Sequence, residues 1–250
     1  MSPGARVPGD PTARPLPIVP VLQAPADIPA VANLGNLLRR RARLTPDRPA
    51  CYRKILRDAD GRAIEPRWET LTWRQFHDRA ATVARGLIDL GLAVGARVAI
   101  LGPTNVEWGV CDFGGHLAGL ATAGIYPRQT AAQIRHLLQH SGAEAIFVAG
   151  GTAWGDDGAQ GREELANVVE AAQDAPDLRA IVVWGAPGDP AFDPSSADDP
   201  RLRSLDAFAA DPPLDDDALD ARLASVGLDD LAILIYTSGT TGPPKAAMIS

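Results

Sequence analysis

Short apolar segments alternate with helix-length amphipathic segments along the middle of this chain, and this alternation limits the possible folds more than any other feature. The apolar segments are bounded by turn residues, which is typical of buried strands. The predicted strands are Arg97–Leu101, Ala121–Ile125, Ala145–Val148 and Ile181–Trp184. Strands joined through helices run parallel, because each helix carries the chain back to the same end of the sheet. The sequence therefore predicts an α/β fold, a parallel sheet layered with helices.

Local signals mark where the helices begin. Thr72 with Gln75, and Thr130 with Gln133, have the spacing of a capping box, in which each side chain satisfies a free backbone donor in the first turn of a helix. Asn105 is a further N-cap residue, placed between the first two predicted strands. We therefore expect three well-defined helices after these positions.

The chain before Thr72 contains two more predicted elements. A short helix opens at Asn33 and ends before Thr45-Pro46, because the residue before a proline avoids helical dihedral angles. Residues 50–56 and 67–71 predict a hairpin around a turn at residues 58–61.

Two segments show no such pattern. Residues 1–30 are rich in proline and predict a disordered tail, so residues 31–250 are the expected domain. The acidic, Pro-rich stretch at residues 185–217 predicts a surface excursion rather than an acidic binding site.

Composition excludes several classes of function. A net charge of −7 argues against a nucleic-acid partner, which would require a basic face. No apolar segment has the length of a transmembrane helix, and prolines interrupt the only candidate for a signal peptide. Cys51 and Cys111 lie far apart in apolar segments, as expected for core residues in a reducing compartment. We expect a cytoplasmic protein.

The segment Tyr236–Lys245 carries the strongest chemical signal. It follows the apolar run Leu231–Ile235, which predicts a buried strand, and it combines hydroxyl side chains, glycines and a lysine. Glycines allow backbone N–H groups to form an anion-binding concavity, and a lysine adds a full positive charge. Polyphosphate suits this combination best. The candidate ligand-binding residues are Thr237, Ser238, Gly239, Thr240, Thr241, Gly242 and Lys245.

Two familiar phosphate loops do not fit this segment. A Walker A loop needs Gly before its Lys and Ser or Thr after it, whereas Pro244 and Ala246 are the neighbours of Lys245. The dinucleotide fingerprint G-x-G-x-x-G is absent from the chain. The alternative to phosphate binding is a polar surface turn with a solvated lysine.

The same segment resembles the phosphate-loop signature of the adenylate-forming enzymes, which include acyl-CoA synthetases, luciferases and peptide-synthetase adenylation domains. It departs from the family pattern at Ala246, where the family has Gly. Other similar segments are Leu44–Ala50, Thr72–Phe76, Gly95–Ile100 and Asn105–Trp108. Residues 124–127 and 134–138 resemble the long-chain fatty-acyl branch more than the acetyl or peptide-synthetase branches.

The resemblance implies an incomplete, N-terminal part of the large domain of an AMP-forming acyl-CoA synthetase. The implied reaction joins a carboxylic acid, a long-chain fatty acid by the branch resemblance, to ATP as an acyl-adenylate, and CoA then displaces AMP. Residues of the loop would hold the phosphates, Lys245 would balance their charge, and Thr237 would bind Mg²⁺. No catalytic residue is assigned within these residues.

The resemblance also implies that the chain as given lacks the C-terminal catalytic segments and is inactive by itself. Two alternatives stay open. The chain could be a non-catalytic remnant or interaction fragment, or it could belong to another adenylate-forming enzyme such as a peptide-synthetase adenylation domain.

Two clusters lie outside the loop. His136 and His140 have the i, i+4 spacing of metal ligands, but the Glu of an H-E-x-x-H motif is missing, so a polar helix face is the preferred interpretation. The arginines at positions 39, 40, 41 and 43 indicate a solvated helix end stabilised by the helix dipole. Peripheral contact with anionic lipid is the alternative for this second cluster.

Overall fold

The computed structural model describes residues 31–57, 62–151, 159–185, 199–210, 216–237 and 244–250. The helices are α1 Leu34–Leu44, α2 Trp73–Asp89, α3 Val106–Leu117, α4 Ala131–Ser141, α5 Ala159–Ala172, α6 Leu205–Ala210 and α7 Asp216–Ala224. The strands are β1 Pro49–Arg57, β2 Ala63–Thr72, β3 Arg97–Leu101, β4 Ala121–Ile125, β5 Ala143–Ala149, β6 Ala180–Trp184, β7 Leu202–Ser204, β8 Ile233–Thr237 and β9 Lys245–Ile249. Within the described residues, no helix is both long and apolar enough to cross a membrane.

The main sheet has the strand order β7-β6-β5-β3-β4-β8-β9. Its strands run parallel up to β8, and β9 pairs antiparallel with β8. In the centre, Ile100 of β3 lies opposite Gly124 of β4 and Phe147 of β5. The predicted α/β fold with a parallel, helix-covered sheet is confirmed.

Helices cover both faces of this sheet. The chain passes from β3 through α3 to β4 in one direction and from β4 through α4 to β5 in the other. Because such crossovers are right-handed, α3 and α4 lie on opposite faces. Contacts agree with this arrangement, since α2 packs on α3 and α6 while α4 packs on α5.

The predicted helix starts are also confirmed. Thr72 and Thr130 each form a complete capping box with Gln75 and Gln133, and Asn105 accepts a hydrogen bond from the backbone of Trp108. The buried face of α2 consists of apolar side chains that recur three or four residues apart, among them Phe76, Ala80, Val83, Ala84 and Leu87.

The predicted hairpin forms a separate sheet of β1 and β2. β2 begins at Ala63, earlier than the predicted position 67, and the register shifts between Ile55 and Arg57. The turn predicted at residues 58–61 lies outside the described residues, as does the predicted tail at 1–30. The boundary between tail and domain therefore stays a prediction.

The prediction for residues 185–217 is wrong for the part that the structure describes. β7 extends the main sheet beside β6, and α6 buries Phe208, which is 5% exposed. The Phe208 ring packs so closely on α2 that a Cβ added at Gly86 would lie 2.7 Å from it. The frequent Asp and Pro residues obscure the sequence pattern of β7 and α6, although the few apolar side chains of these two elements are buried.

The prediction of a fully buried strand at Leu231–Ile235 also needs correction. β8 covers Ile233–Thr237, with Leu234 and Tyr236 buried but Ile235 41% exposed. A neighbouring strand on each side satisfies its backbone, β4 on one and β9 on the other. Among the described residues, the strand is thus paired on both sides and buried on one face only, the face on which Tyr236 contacts α4.

Candidate phosphate-binding site

The predicted phosphate loop joins two antiparallel strands. β8 ends at Thr237 and β9 begins at Lys245, and these two residues lie directly opposite each other. The Thr237 hydroxyl donates to the Lys245 carbonyl oxygen at 3.4 Å, which closes the base of the hairpin. Both side chains are exposed. Opposite residues of an antiparallel pair project to the same face, so the hydroxyl and the ammonium group share one side of the ribbon.

The other candidate residues lie between these two. Ser238, Gly239, Thr240, Thr241 and Gly242 fall outside the described residues, so their role stays a prediction. Thr237 as a magnesium ligand also stays a prediction. A hydroxyl is an oxygen ligand of the kind that Mg²⁺ accepts when phosphate oxygens complete the shell, so the residue present fits the ion.

Tyr236 anchors the strand that leads into the loop. Its side chain is buried, and its hydroxyl lies 3.0 Å from Nδ1 of His140 and 3.4 Å from the carbonyl oxygen of Leu137. Burial is the main cause of the raised pKa of this phenol, which keeps the hydroxyl protonated. Since His140 and Leu137 lie on α4, this contact fastens the end of β8 to a helix under the sheet.

This contact also explains one of the two histidines on α4. His140 faces Tyr236, with ring centroids 5.7 Å apart, and His136 lies next to it at the same separation. No group of three or more His, Cys, Asp or Glu in the described part of the chain could hold a metal ion. The geometry of His140 is that of a structural hydrogen-bonding residue.

A second anchored loop lies beside the hairpin. It follows β4, the neighbour of β8, and contains Arg128, which has a left-handed backbone with φ of 62°. The Arg128 N–H donates to the carboxylate of Glu164 on α5. Glu164 is 2% exposed, and burial raises its pKa. Asn167 of the same helix donates to the carbonyl oxygen of Gln129 at 3.2 Å.

These anchored loops share one edge of the sheet. The carboxyl ends of parallel strands lie at the same edge, so the loop after β4 and the hairpin after β8 are neighbours there. The chain also leaves β3 and β4 in opposite directions, and ligands of open α/β sheets bind in the crevice at such a switch point. Fold and site together define an α/β class of protein whose candidate ligand site lies at this edge, with the hydroxyl of Thr237 and the amine of Lys245 exposed there.

Comparison with known proteins identifies the family. Residues 38–250 match the AMP-binding enzyme family, and the chain belongs to it. The long-chain-fatty-acid–CoA ligase FadD15 of Mycobacterium bovis is 33% identical over 189 residues, which are 76% of this chain and 28% of that protein. The resemblance to the adenylate-forming enzymes is thereby confirmed, and the chain spans less than a third of the length of this relative.

Solved structures agree on the fold. An anthranilate–CoA ligase in complex with anthranoyl-AMP superimposes with a TM-score of 0.64 and 21% identity, over 89% of this chain and 35% of that one. A fatty acyl-CoA synthetase of Mycobacterium tuberculosis gives a TM-score of 0.53 and 22% identity, over 86% and 34%. The described fold is thus a partial domain of an adenylate-forming enzyme.

The residues that anchor the candidate site could not be identified from the sequence. Tyr236 and His140 are 96 residues apart, and Arg128 and Glu164 are 36 apart. Neither pair forms a local motif. Arg128 has one local signal, its position in a loop between a proline and the helix start at Gln129-Thr130. Such loop positions are too common to single out one residue.

Proposed function

We propose that this chain forms the ATP-phosphate-binding part of an AMP-forming long-chain fatty acid–CoA ligase. The observation that supports it best is the pairing of Thr237 with Lys245 at the carboxyl end of β8, since these two residues flank a segment of the sequence that is rich in hydroxyls and glycines. The match to the AMP-binding family and the similarity to long-chain-fatty-acid–CoA ligases support the substrate class.

In the proposed reaction, a fatty acid carboxylate attacks the α-phosphate of ATP. Pyrophosphate leaves, an acyl-adenylate forms, and the CoA thiol then displaces AMP to give the thioester. Reactions at phosphorus depend on positioning and on charge stabilisation more than on covalent chemistry by the protein. In this proposal, the β8–β9 hairpin contributes both positioning and charge stabilisation.

Each part of the hairpin has a role in this proposal. Backbone N–H groups of residues 239–242 and the hydroxyls of Ser238, Thr240 and Thr241 would donate to the β- and γ-phosphates. The Lys245 ammonium would offset the charge of the departing pyrophosphate. Thr237 would hold Mg²⁺, whose charge neutralises the phosphate oxygens.

The surrounding structure would keep the hairpin in register with the substrates. Tyr236 ties β8 to α4, and Glu164 holds the neighbouring loop by the Arg128 backbone. Positioning by fixed groups lowers the entropic cost of bringing reactants together. We assign the complete reaction to a protein that contains this chain with the rest of an AMP-binding domain, and we expect no ligation by the 250 residues alone.

We further propose a cytoplasmic location. Cys51 and Cys111 are both free thiols, and Cys111 is fully buried, as suits a reducing compartment. ATP and CoA, the proposed co-substrates, would be drawn from the same compartment.

Exchange of labelled pyrophosphate into ATP tests the proposed function. The assay uses a protein that joins this chain to the rest of an AMP-binding domain, and it compares palmitate with acetate, an aromatic acid and a set of amino acids. The proposal predicts exchange that depends on palmitate. Exchange with amino acids alone would instead identify a peptide-synthetase type of adenylation domain, and no exchange with any acid would refute acid activation.

A further inference from the structure

The β1–β2 hairpin exposes large apolar side chains on one face. Tyr52 is 60% exposed, Trp68 67% and Leu56 43%. Aromatic side chains of this size are usually well buried, since each removes a large apolar area from water. Two such rings on one small sheet form a patch that calls for a partner.

The strand register shows that these side chains share a face. Tyr52, Lys54 and Leu56 alternate along β1, so they project to the same side of the sheet. Lys54 lies opposite Trp68 on β2, and Tyr52 lies opposite Thr70. We call this surface, formed by Tyr52, Lys54, Leu56, Trp68 and Thr70, the hairpin face.

The opposite side of the hairpin is held against the body of the protein. Arg53 forms ion pairs with Glu69 on β2 and with Glu107 on α3, the second at 2.8 Å. Cys51 packs against the core. The hairpin face therefore points outward, because the opposite side of the hairpin contacts α3 and the core.

The chemistry of the hairpin face suits the surface of a bilayer. Trp and Tyr rings carry a polar group at one edge and favour the depth of the lipid headgroups. Lysine stems lie along apolar surface while the ammonium group reaches the headgroups. Among the residues of this face, Lys54 carries the only charge, in a chain whose net charge is −7. This local positive charge is complementary to an anionic lipid surface.

We propose that the hairpin face docks the protein on an anionic lipid bilayer, with Trp68 and Tyr52 among the headgroups. The choice of lipid over a protein partner rests on the proposed function, because a long-chain fatty acid substrate partitions strongly into membranes. Docking would place the enzyme where its acid is concentrated.

The arginine cluster of α1, the earlier candidate for lipid contact, is less suited to this role. Arg39 is paired with Asp220, and the Arg41 guanidinium lies 5.2 Å from the centroid of the Trp73 ring. Arg43 is exposed at the end of the same helix and serves as a control.

Flotation of the 250-residue protein with vesicles tests the docking. One set of vesicles consists of phosphatidylcholine alone, and in the other set about one third of the lipid is phosphatidylglycerol. The variants are Trp68→Ala, Trp68→Phe and Lys54→Gln, with Arg43→Gln and Leu228→Ala as controls. Leu228 is 68% exposed, which matches Trp68, and it belongs to neither strand of the hairpin. Circular dichroism and thermal melting verify that each variant is folded.

We expect binding to the anionic vesicles, weakened about tenfold by Trp68→Ala through lost apolar burial. Loss of one basic charge in Lys54→Gln should weaken it about fivefold, on anionic vesicles only. Both controls should bind like the unaltered protein. Brominated acyl chains should quench tryptophan fluorescence, and Trp68→Phe should keep binding while it loses most of that quenching.

The docking surface would be overturned if the protein bound neither kind of vesicle, or if Trp68→Ala and Leu228→Ala bound equally well. It would also be overturned if Trp68→Ala changed the sedimentation of the protein without lipid. That result would identify a second copy of the chain as the partner of the hairpin face. None of these measurements uses enzymatic activity. Failure here is therefore distinct from failure of pyrophosphate exchange.

Discussion

Lys245 is the residue on which the proposed chemistry depends most. It is exposed at the start of β9, opposite Thr237, so its side chain contributes little to the core. We expect Lys245→Ala to weaken Mg-ATP binding by about 1–3 kcal/mol, the usual range for a charge-assisted hydrogen bond. Isothermal titration calorimetry measures this, and the melting temperature without ligand should not change.

The chain provides a matched control for this substitution. Lys54, its other lysine, is exposed on β1, and Lys54→Ala should leave ATP affinity unaltered. No loss of affinity beyond that of Lys54→Ala, with an unchanged melting temperature, would favour a solvated surface lysine instead, and a sharp fall in the melting temperature would indicate a structural role for Lys245.

The stability that Glu164 contributes should depend on pH. Burial raises its pKa above the ordinary value of 4.5, so the folded chain holds this proton to a higher pH than the unfolded chain does. The contribution to stability is present at low pH and is lost as pH rises through the folded-state pKa. Glu164→Gln keeps an oxygen for the Arg128 N–H and does not titrate. The free energy of unfolding of the variant, relative to the unaltered protein, should therefore increase as the pH is raised from 4.5 towards 7.

Urea denaturation at a series of pH values measures this difference. Asn167→Ala removes the uncharged contact of the same helix with the carbonyl oxygen of Gln129, so its effect on stability should not depend on pH. A difference for Glu164→Gln that stays flat with pH would show that this carboxyl titrates alike in the folded and unfolded states.

At the scale of elements, α6 shows how a short buried segment supports the domain. Phe208 packs on Gly86 of α2 and on Phe147 of β5, with ring centroids 5.9 Å apart. Truncation of a buried phenylalanine typically costs about 3–5 kcal/mol. Phe208→Ala should destabilise the protein by that amount in chemical denaturation, whereas Asp206→Ala, at an exposed position of α6, should have little effect. Equal stabilities would mean that α6 does not pack on the domain.

The elements that sequence reasoning identified are those with strong local patterns. β3 and β4 begin and end where their apolar runs do, and the capping boxes at Thr72 and Thr130 mark helix starts within a few residues. α5, β7, α6 and α7 were missed, because each buries only a few apolar side chains among polar and acidic neighbours. Their positions depend on tertiary packing, which no local window contains.

The same division applies to the candidate site. The residue types of the phosphate loop are adjacent in sequence, so their chemistry can be predicted. The hairpin that presents them could not be, since β9 is a strand only because β8 pairs with it. The anchors Tyr236–His140 and Arg128–Glu164 join distant segments, and only the folded sheet brings them together.

At the scale of the whole molecule, we expect the β9 edge of the main sheet to control whether the chain associates in solution. β9 pairs with β8 on one side, and the described residues cover neither its other edge nor Met248, which is 73% exposed. An open apolar edge can template pairing with another chain. We expect the 250-residue protein to associate with rising concentration and to bind a hydrophobic dye, as measured by light scattering and fluorescence.

A charge on β9 should suppress this association. Met248→Lys places a lysine on the exposed edge, whereas Leu228→Lys makes the same change at an equally exposed position outside any strand. Only the first should reduce light scattering. A monodisperse, dye-free protein before any substitution would show that this edge is already protected.

Titration of the isotopically labelled 250-residue chain with Mg-ATP, followed by amide chemical shifts, is the most direct test of phosphate binding at the β8–β9 hairpin. We expect weak, saturable shifts at Thr237, at Lys245 and at the residues between them, with smaller shifts in the loop around Arg128. The Lys245→Ala variant should lose them, and amides of the β1–β2 hairpin should not respond. Saturable shifts confined to another region, or none at the β8–β9 hairpin at any ATP concentration, would contradict phosphate binding at this site.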